Sequence, residues 1–229
     1  MKTPTTSSMT RRVLLVAIAT MLTLGCTNGA GARTTSKKSS SSGAAVKPLP
    51  KGAKVAIFAG GCFWCMQPPF DKLAGVISTS VGYCGGKEQN PTYHQVGYGR
   101  TGHTESIKVV YDPKKVSYKK LLDVFWRNMD PTDAGGQFVD RGKQYRPAIF
   151  YVNARQKKIA EASKKALGAS GRFKKPIVVE ITKATRFWDG EGYHQQFYKK
   201  NPTRYYSYRR GSGRDQFIAK HWGAAAAKH

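Results

Sequence analysis

The segment after Ser117 constrains the fold more than any other. Tyr118, Leu121, Leu122, Phe125, Trp126 and Met129 recur at the three- and four-residue spacing of one continuous helix face. A stripe that broad must be covered, and short apolar runs on either side supply the cover. Lys54–Ala59 (KVAIFA) reads as a strand that Gly60-Gly61 ends. Residues 76–83 form a second candidate. In residues 106–111, Ile107, Val109 and Tyr111 alternate with Ser106, Lys108 and Val110, and Asp112-Pro113 closes the run. Residues 148–152 read as another strand. Asn153 can then cap a helix through Leu167, with Ile159, Ala166 and Leu167 inward and Lys157, Lys158, Lys164 and Lys165 toward solvent. Residues 176–182 supply the last strand. A helix starting near Cys62 should be disturbed or stopped by Pro68-Pro69. The economical fold is α+β: one mixed, largely antiparallel sheet covered by two long helices.

With 229 residues, 40% of them hydrophobic, the chain can bury one sizeable core, placed here at residues 53–222 with a tail at 223–229. Lys2, Arg11 and Arg12 precede a 12-residue apolar run at 13–24, short for a membrane span and suited to an export signal over residues 1–32, with small residues before a cut after Ala32. The run Leu22-Thr23-Leu24-Gly25-Cys26 is an imperfect lipobox, so an alternative reading makes Cys26 a lipid-attachment residue. Residues 33–52 read as a flexible basic tether. The expected destination is the bacterial periplasm or cell envelope. A formal charge of +26 implies attraction to anionic surfaces but specifies no site.

Past the signal, Cys62, Cys65 and Cys84 remain, an odd number that points to a reactive thiol rather than a disulfide framework. Cys62 follows Gly60-Gly61 between a strand and a helical segment. There converging backbone N–H groups and the helix dipole are expected to lower its pKa. The Cys62-x-x-Cys65 spacing suggests redox chemistry. A metal half-site is the weaker reading, because no second such pair completes four zinc ligands. Phe63 and Trp64, as two exposed rings beside the thiol, would receive an apolar, polarisable group such as a methyl thioether.

In chain order, Gly61-Cys62-Phe63-Trp64, Gly82-Tyr83-Cys84-Gly85-Gly86, Asn90-Pro91-Thr92-Tyr93, Gly102-His103-Thr104-Glu105, Val110-Tyr111-Asp112-Pro113, the run from Asp140 to Arg146, and Tyr193-His194-Gln195-Gln196 resemble the motifs of the type A peptide methionine sulfoxide reductases. The resemblance spans residues 54–222. It implies a two-layer sandwich with a ferredoxin-like core, and thiol-dependent reduction of the S epimer of methionine sulfoxide, in peptides and as the free amino acid. Residue by residue, it makes Cys62 the nucleophile and Phe63 and Trp64 the wall for the substrate methyl group. Glu105 becomes the acid at the sulfoxide oxygen, Tyr93 and Tyr145 hydroxyl donors to it, and Asp140 an organising carboxylate. No bound cofactor or metal is implied. The partners are oxidised proteins and an external thiol reductant, a thioredoxin-like protein or a small thiol, replaced in vitro by dithiothreitol; the chain is expected to act as a monomer.

The chemistry suits these roles. A sulfoxide oxygen leaves poorly until protonated, and a carboxyl buried by an apolar wall holds a proton to give. Attack by Cys62 releases methionine and leaves a sulfenic acid, which condenses with a second thiol. Cys65, Cys84 or an external thiol could resolve it, and no cysteine follows Cys84. Gln67 stands where related sequences commonly have Glu and receives no role. Two rival readings are a general thiol–disulfide oxidoreductase, which would not need Glu105, and a nucleic-acid binder using Tyr205, Tyr206 and Tyr208 among Arg204, Arg209 and Arg210. The charge more plausibly favours acidic proteins or an anionic envelope surface, and no specific nucleic acid is expected.

Overall fold

The structure is a computed structural model of the chain, and residues 48–227 are described. The export signal, the Cys26 alternative and the tether up to residue 47 lie outside the described residues.

The elements run β1 (Lys54–Ala59), α1 (Phe63–Asp71), β2 (Val76–Cys84), α2 (Tyr93–Gly97), β3 (Thr104–Tyr111), α3 (Tyr118–Arg127), β4 (Gly136–Gln137), β5 (Asp140–Arg141), β6 (Ala148–Tyr151), α4 (Ala154–Ala169), β7 (Glu180–Lys183), β8 (Trp188–Asp189), α5 (Phe197–Lys200), α6 (Pro202–Gly211) and α7 (Arg214–Trp222). Six strands form one sheet in the order β7-β6-β1-β3-β2-β8, with β4 and β5 a separate ribbon. Every pairing in the large sheet is antiparallel except β6 with β7. The mixed, largely antiparallel α+β arrangement expected from the sequence is therefore the one that forms.

Ser117 caps α3 by accepting the Lys120 N–H, and Asn153 caps α4 by accepting that of Gln156. The α3 stripe lands on the sheet face carrying Phe58, Ile107, Val109 and Ile149. Phe58 stacks against Phe70 and Phe125 with ring centroids 5.4 and 5.2 Å apart. Successive residues of a strand face opposite sides. Ile57, Ala59, Cys84, Ala148 and Phe150 accordingly make a second cluster across the sheet.

Three local expectations are corrected. The α1 helix is disturbed at Pro68 and Pro69 but not stopped there, and runs on to Asp71. Neither proline can donate an N–H, so Pro69 leaves the Cys65 carbonyl without its helical partner, and Arg209 Nη1 donates to it at 3.1 Å. The buried face of α4 is Gln156, Ala160 and Leu167; Ala166 is exposed, and Lys164 is half-buried and donates to the Val179 carbonyl at 2.7 Å. Residues 176–179 are not strand: Val178 N–H donates to the Pro131 carbonyl at 2.8 Å and the Val179 carbonyl is taken by Lys164, so a loop and a side chain replace the ladder.

Candidate active site

The turn from β1 into α1 sets the nucleophile. Gly61 has φ +80°, and a Cβ there would lie 2.4 Å from Gln137 Cβ, so only glycine fits both the left-handed turn and the close approach of β4. Cys62 then sits at the N-cap of α1, 6% exposed. Its neighbours in space arrive from distant segments. Glu105 is the second residue of β3 and faces the same side of the sheet as its cross-strand partner Tyr83. Tyr93 begins α2, Asp140 lies in β5, Tyr145 ends a short 3₁₀ turn and Tyr208 comes from α6. Together with Cys62, Phe63 and Trp64 they line one cavity of about 90 Å³. A larger hollow of 660 Å³ beside Lys51, Val76 and Asp112 contains no thiol.

Phe63 is not an exposed ring: it is 1% accessible and packs with Val81, Tyr83 and Val96. Trp64 is half-buried and stacks on Phe197 at 3.8 Å with the rings 5° from parallel. Its Nε1–H donates to His194 Nδ1 at 3.0 Å. Burial lowers His194 to about 4, so it is a neutral acceptor that fixes the indole. The ring wall is thereby held from both sides.

Glu105 is 2% exposed, and its Oε2 accepts the Phe63 N–H at 2.9 Å. Burial outweighs that bond and pushes the carboxyl up to about 8, with Asp140 and Cys65 adding to the rise. It is therefore protonated at neutral pH and can give a proton. Burial, then the nearby Glu105, raises both tyrosines, Tyr93 to about 12, so each keeps its hydroxyl hydrogen. Asp140 is also raised by burial, against the opposing pull of Tyr208 and Arg214. The Tyr208 hydroxyl donates to Asp140 Oδ2.

Burial works against the expected low pKa of Cys62. Burial, the neighbouring Cys65 through its hydrogen bond and charge, and the charges of Glu105 and Asp140 all push its thiol upward. Cys65 behaves in the opposite way. It is fully buried, yet the hydrogen bond from Cys62 and the guanidinium groups of Arg214 and Arg209 bring it down to about 7.

Cys84 is not brought to the site. It pairs with Thr104, one residue out of step with the Tyr83–Glu105 pair, and so faces the opposite side of the sheet. There it is fully buried and hydrogen-bonded to Thr185. Gln67 is a tie: its Nε2 donates to Thr79 Oγ1 at 2.9 Å and its Oε1 accepts the Gln196 N–H at 2.8 Å. The aromatic–basic run of α6 does not offer the stacking rings a nucleic-acid binder needs. Tyr205 and Arg209 are 1% exposed and Tyr208 is bonded to Asp140, leaving Tyr206 as the exposed ring. From the sequence, Tyr208 and Arg209 enter only as part of a nucleic-acid surface, and Arg214 has no role at all. The signal available was Tyr205, Tyr208 and Arg209 at helical spacing on one face. Among the described residues, no group of three or more His, Cys, Asp or Glu side chains could hold a metal ion.

Residues 54–226 match the family described as peptide methionine sulfoxide reductase. A peptide methionine sulfoxide reductase MsrA of Bacillus subtilis is 56% identical over 171 residues, covering 75% of this chain and 97% of the relative. One from Ligilactobacillus salivarius is 58% identical over 167 residues, 73% of this chain and 96% of the relative. Among solved structures, reduced Mxr1 from Saccharomyces cerevisiae aligns with a TM-score of 0.64 at 30% identity, covering 69% of this chain and 90% of that one. Methionine sulfoxide reductase A of Corynebacterium diphtheriae aligns at 0.59 and 35% identity, over 67% of this chain and 77% of that one.

Proposed function

Because this chain belongs to the peptide methionine sulfoxide reductase family, type A, we propose that it reduces methionine sulfoxide in oxidised proteins to methionine through a sulfenic acid on Cys62. The observation that carries this reading is the convergence of a thiol, a protonated buried carboxyl and two tyrosine hydroxyls on one small cavity walled by Phe63 and Trp64.

The sulfoxide methyl group rests on the Phe63 and Trp64 wall, and its oxygen accepts hydrogen bonds from Tyr93 and Tyr145. Glu105 gives that oxygen a proton, which turns it into a leaving group and makes the sulfur electrophilic. Cys62 keeps its proton until substrate is seated. As Cys62 attacks the sulfur, the proton it releases replaces the one lost by Glu105. The new bond between the two sulfurs and the substrate S–O bond then break as the oxygen passes to the cysteine sulfur, methionine leaves, and the thiol is oxidised by two electrons while the sulfoxide is reduced by two. A tetrahedral sulfur held by its methyl group, its oxygen and the line of attack accepts one hand of substrate. The resemblance of the motifs makes it the S epimer.

Cys65 then resolves the sulfenic acid, and an external thiol, thioredoxin-like or small, reduces the resulting disulfide. Cys65 lies one helical turn from Cys62, roughly 5–6 Å between Cβ atoms at that spacing, which is within reach of a disulfide after local adjustment. The N-terminal pattern supports export to the periplasm or cell envelope, and the +26 charge supports association of a monomer with anionic envelope surfaces. The test of the reaction offers purified protein S and R sulfoxide peptides with dithiothreitol. Consumption of the S form alone is expected, together with its loss in Cys62→Ser. Equal consumption of both forms, or activity surviving in that variant, would contradict the reading.

A further inference from the structure

The Tyr93 ring packs on Phe63 and His194, with centroids 6.4 and 4.3 Å away, but its hydroxyl is tied to no other group among the described residues. How far that hydroxyl reaches into the cavity therefore follows from where the backbone starts α2. This helix has five residues, too few to hold itself. The first N–H groups of a helix have no carbonyl within it to bond. That of Tyr93 goes instead to Glu191 Oε1 at 2.7 Å. The other oxygen of the same carboxylate, Oε2, accepts the Tyr83 hydroxyl at 2.6 Å. Tyr83 is the cross-strand partner of Glu105. One carboxylate thus spans the sheet position beside the acid and the helix that carries the hydroxyl.

Glu191 itself stands on a fixed support. The Gly190 N–H donates to the Val81 carbonyl at 2.8 Å. Gln195 closes the turn from the other side: its Oε1 accepts the Val81 N–H at 2.9 Å, and its Nε2 donates to the Val81 and Gly190 carbonyls at 2.7 and 2.8 Å. This close docking on β2 needs glycine at position 82, where a Cβ would lie 2.0 Å from the Trp188 carbonyl oxygen. Glu191 is half-buried, and burial raises its carboxyl, but the bonds from Tyr83 and Tyr93 outweigh that and hold it below its ordinary value. It is ionised at neutral pH, and hydrogen bonds to an ionised acceptor are about twice as strong as neutral ones.

We infer that Glu191 is a positioning residue for the reductive half of the reaction, setting where the Tyr93 hydroxyl stands relative to Glu105 at the sulfoxide oxygen. The inference rests on the reading of Tyr93 as a hydroxyl donor to that oxygen. Glu191 does not line the cavity, so it acts through Tyr93 and not on substrate. Without its carboxylate the start of α2 loses its tie to the sheet, while the far end stays anchored where Gln144 Nε2 donates to the Gly97 carbonyl at 2.9 Å. A donor serves the oxygen only within about 2.7–3.1 Å. A shift of about 1 Å at Tyr93 is therefore enough to forfeit the bond.

The test uses full-length protein and a double-mutant cycle on the methionine-forming burst with S sulfoxide peptide. Glu191→Ala should slow the burst by about three- to tenfold, and by no more than Tyr93→Phe does, because both forfeit the same hydrogen bond. Glu191→Gln should recover most of the loss, since its carbonyl can accept the Tyr93 N–H and its amide can donate to the Tyr83 oxygen. Added to Tyr93→Phe, Glu191→Ala should cost less than about twofold more. A second readout needs no variant: in the wild-type protein the Tyr93 amide should exchange its hydrogen at least about tenfold more slowly than in the unfolded chain. A Glu191→Ala burst at the wild-type rate, or a loss undiminished by Tyr93→Phe, would overturn the inference. So would a Tyr93 amide that exchanges as fast as in the unfolded chain, even if Glu191→Ala does not fold. A Tyr93→Phe burst at the wild-type rate would instead remove the hydroxyl role on which the inference rests, and a wild-type protein without a burst would remove the reaction itself.

Discussion

Glu105→Gln should make the protein more stable at neutral pH while removing most of its activity. Burial raises this carboxyl from 4.5 to about 8. The direction follows from proton linkage. Between those values the folded state binds a proton that the unfolded chain has lost, so stability falls as pH rises through the interval and levels off above it. At about 1.4 kcal/mol per pH unit, the cost at pH 7 is about 3 kcal/mol. A glutamine carries no proton to bind, and its carbonyl oxygen can still accept the Phe63 N–H now bonded to Oε2. The variant should therefore gain about 1–3 kcal/mol over wild type at pH 7, and the gain should shrink toward zero near pH 4.5. Urea unfolding at pH 5 and pH 7.5 reads the difference. The same protein should lose on the order of 10²–10⁴ in the rate of the methionine-forming burst, because the amide cannot protonate the sulfoxide oxygen. A stability difference independent of pH, or a burst at the wild-type rate, would refute a buried, protonated Glu105 as the acid.

Three other changes separate the roles of the remaining residues. Tyr93→Phe and Tyr145→Phe should each slow the burst by roughly tenfold, and together by more, as stopped-flow kinetics would show; a double variant no slower than either single one would mean that only one hydroxyl meets the oxygen. Trp64→Phe removes the bond to His194 and part of the stack on Phe197, so KM for sulfoxide peptides should rise more than kcat falls in steady-state assays. Cys84→Ser should leave turnover with dithiothreitol unchanged and still allow a Cys62–Cys65 disulfide in peptide mapping, since residue 84 lies across the sheet from the cavity.

The parts of the fold legible in the sequence were those in which a local rule and the burial requirement agree. Ser117 and Asn153 cap where their side chains can, the α3 stripe is apolar throughout, and Gly60-Gly61 ends β1 where the chain must turn. The misread parts involve partners remote in sequence. Pro69 looked like a helix stop because nothing near it announces that Arg209 will take the Cys65 carbonyl it frees. The inward face of α4 is led by Gln156, a polar residue that spends its amide on the Val55 carbonyl and the Val152 N–H. At the site, residues within recognisable motifs could be named individually, but their ionisation could not. The ionisation of the two thiols depends on how Glu105, Asp140, Arg209 and Arg214 converge on them. Those four arrive from β3, β5, α6 and α7. Tyr208 was equally hidden, because its role is defined by Asp140, 68 residues away.

The most direct test of the central claim is mass spectrometry of the Cys65→Ser protein after one equivalent of S-methionine sulfoxide peptide without reductant. The account predicts one methionine formed per chain and one oxygen gained, located on Cys62 as a sulfenic acid that dimedone traps. Methionine formed with Cys62 unmodified, or the oxygen found on another residue, would contradict it.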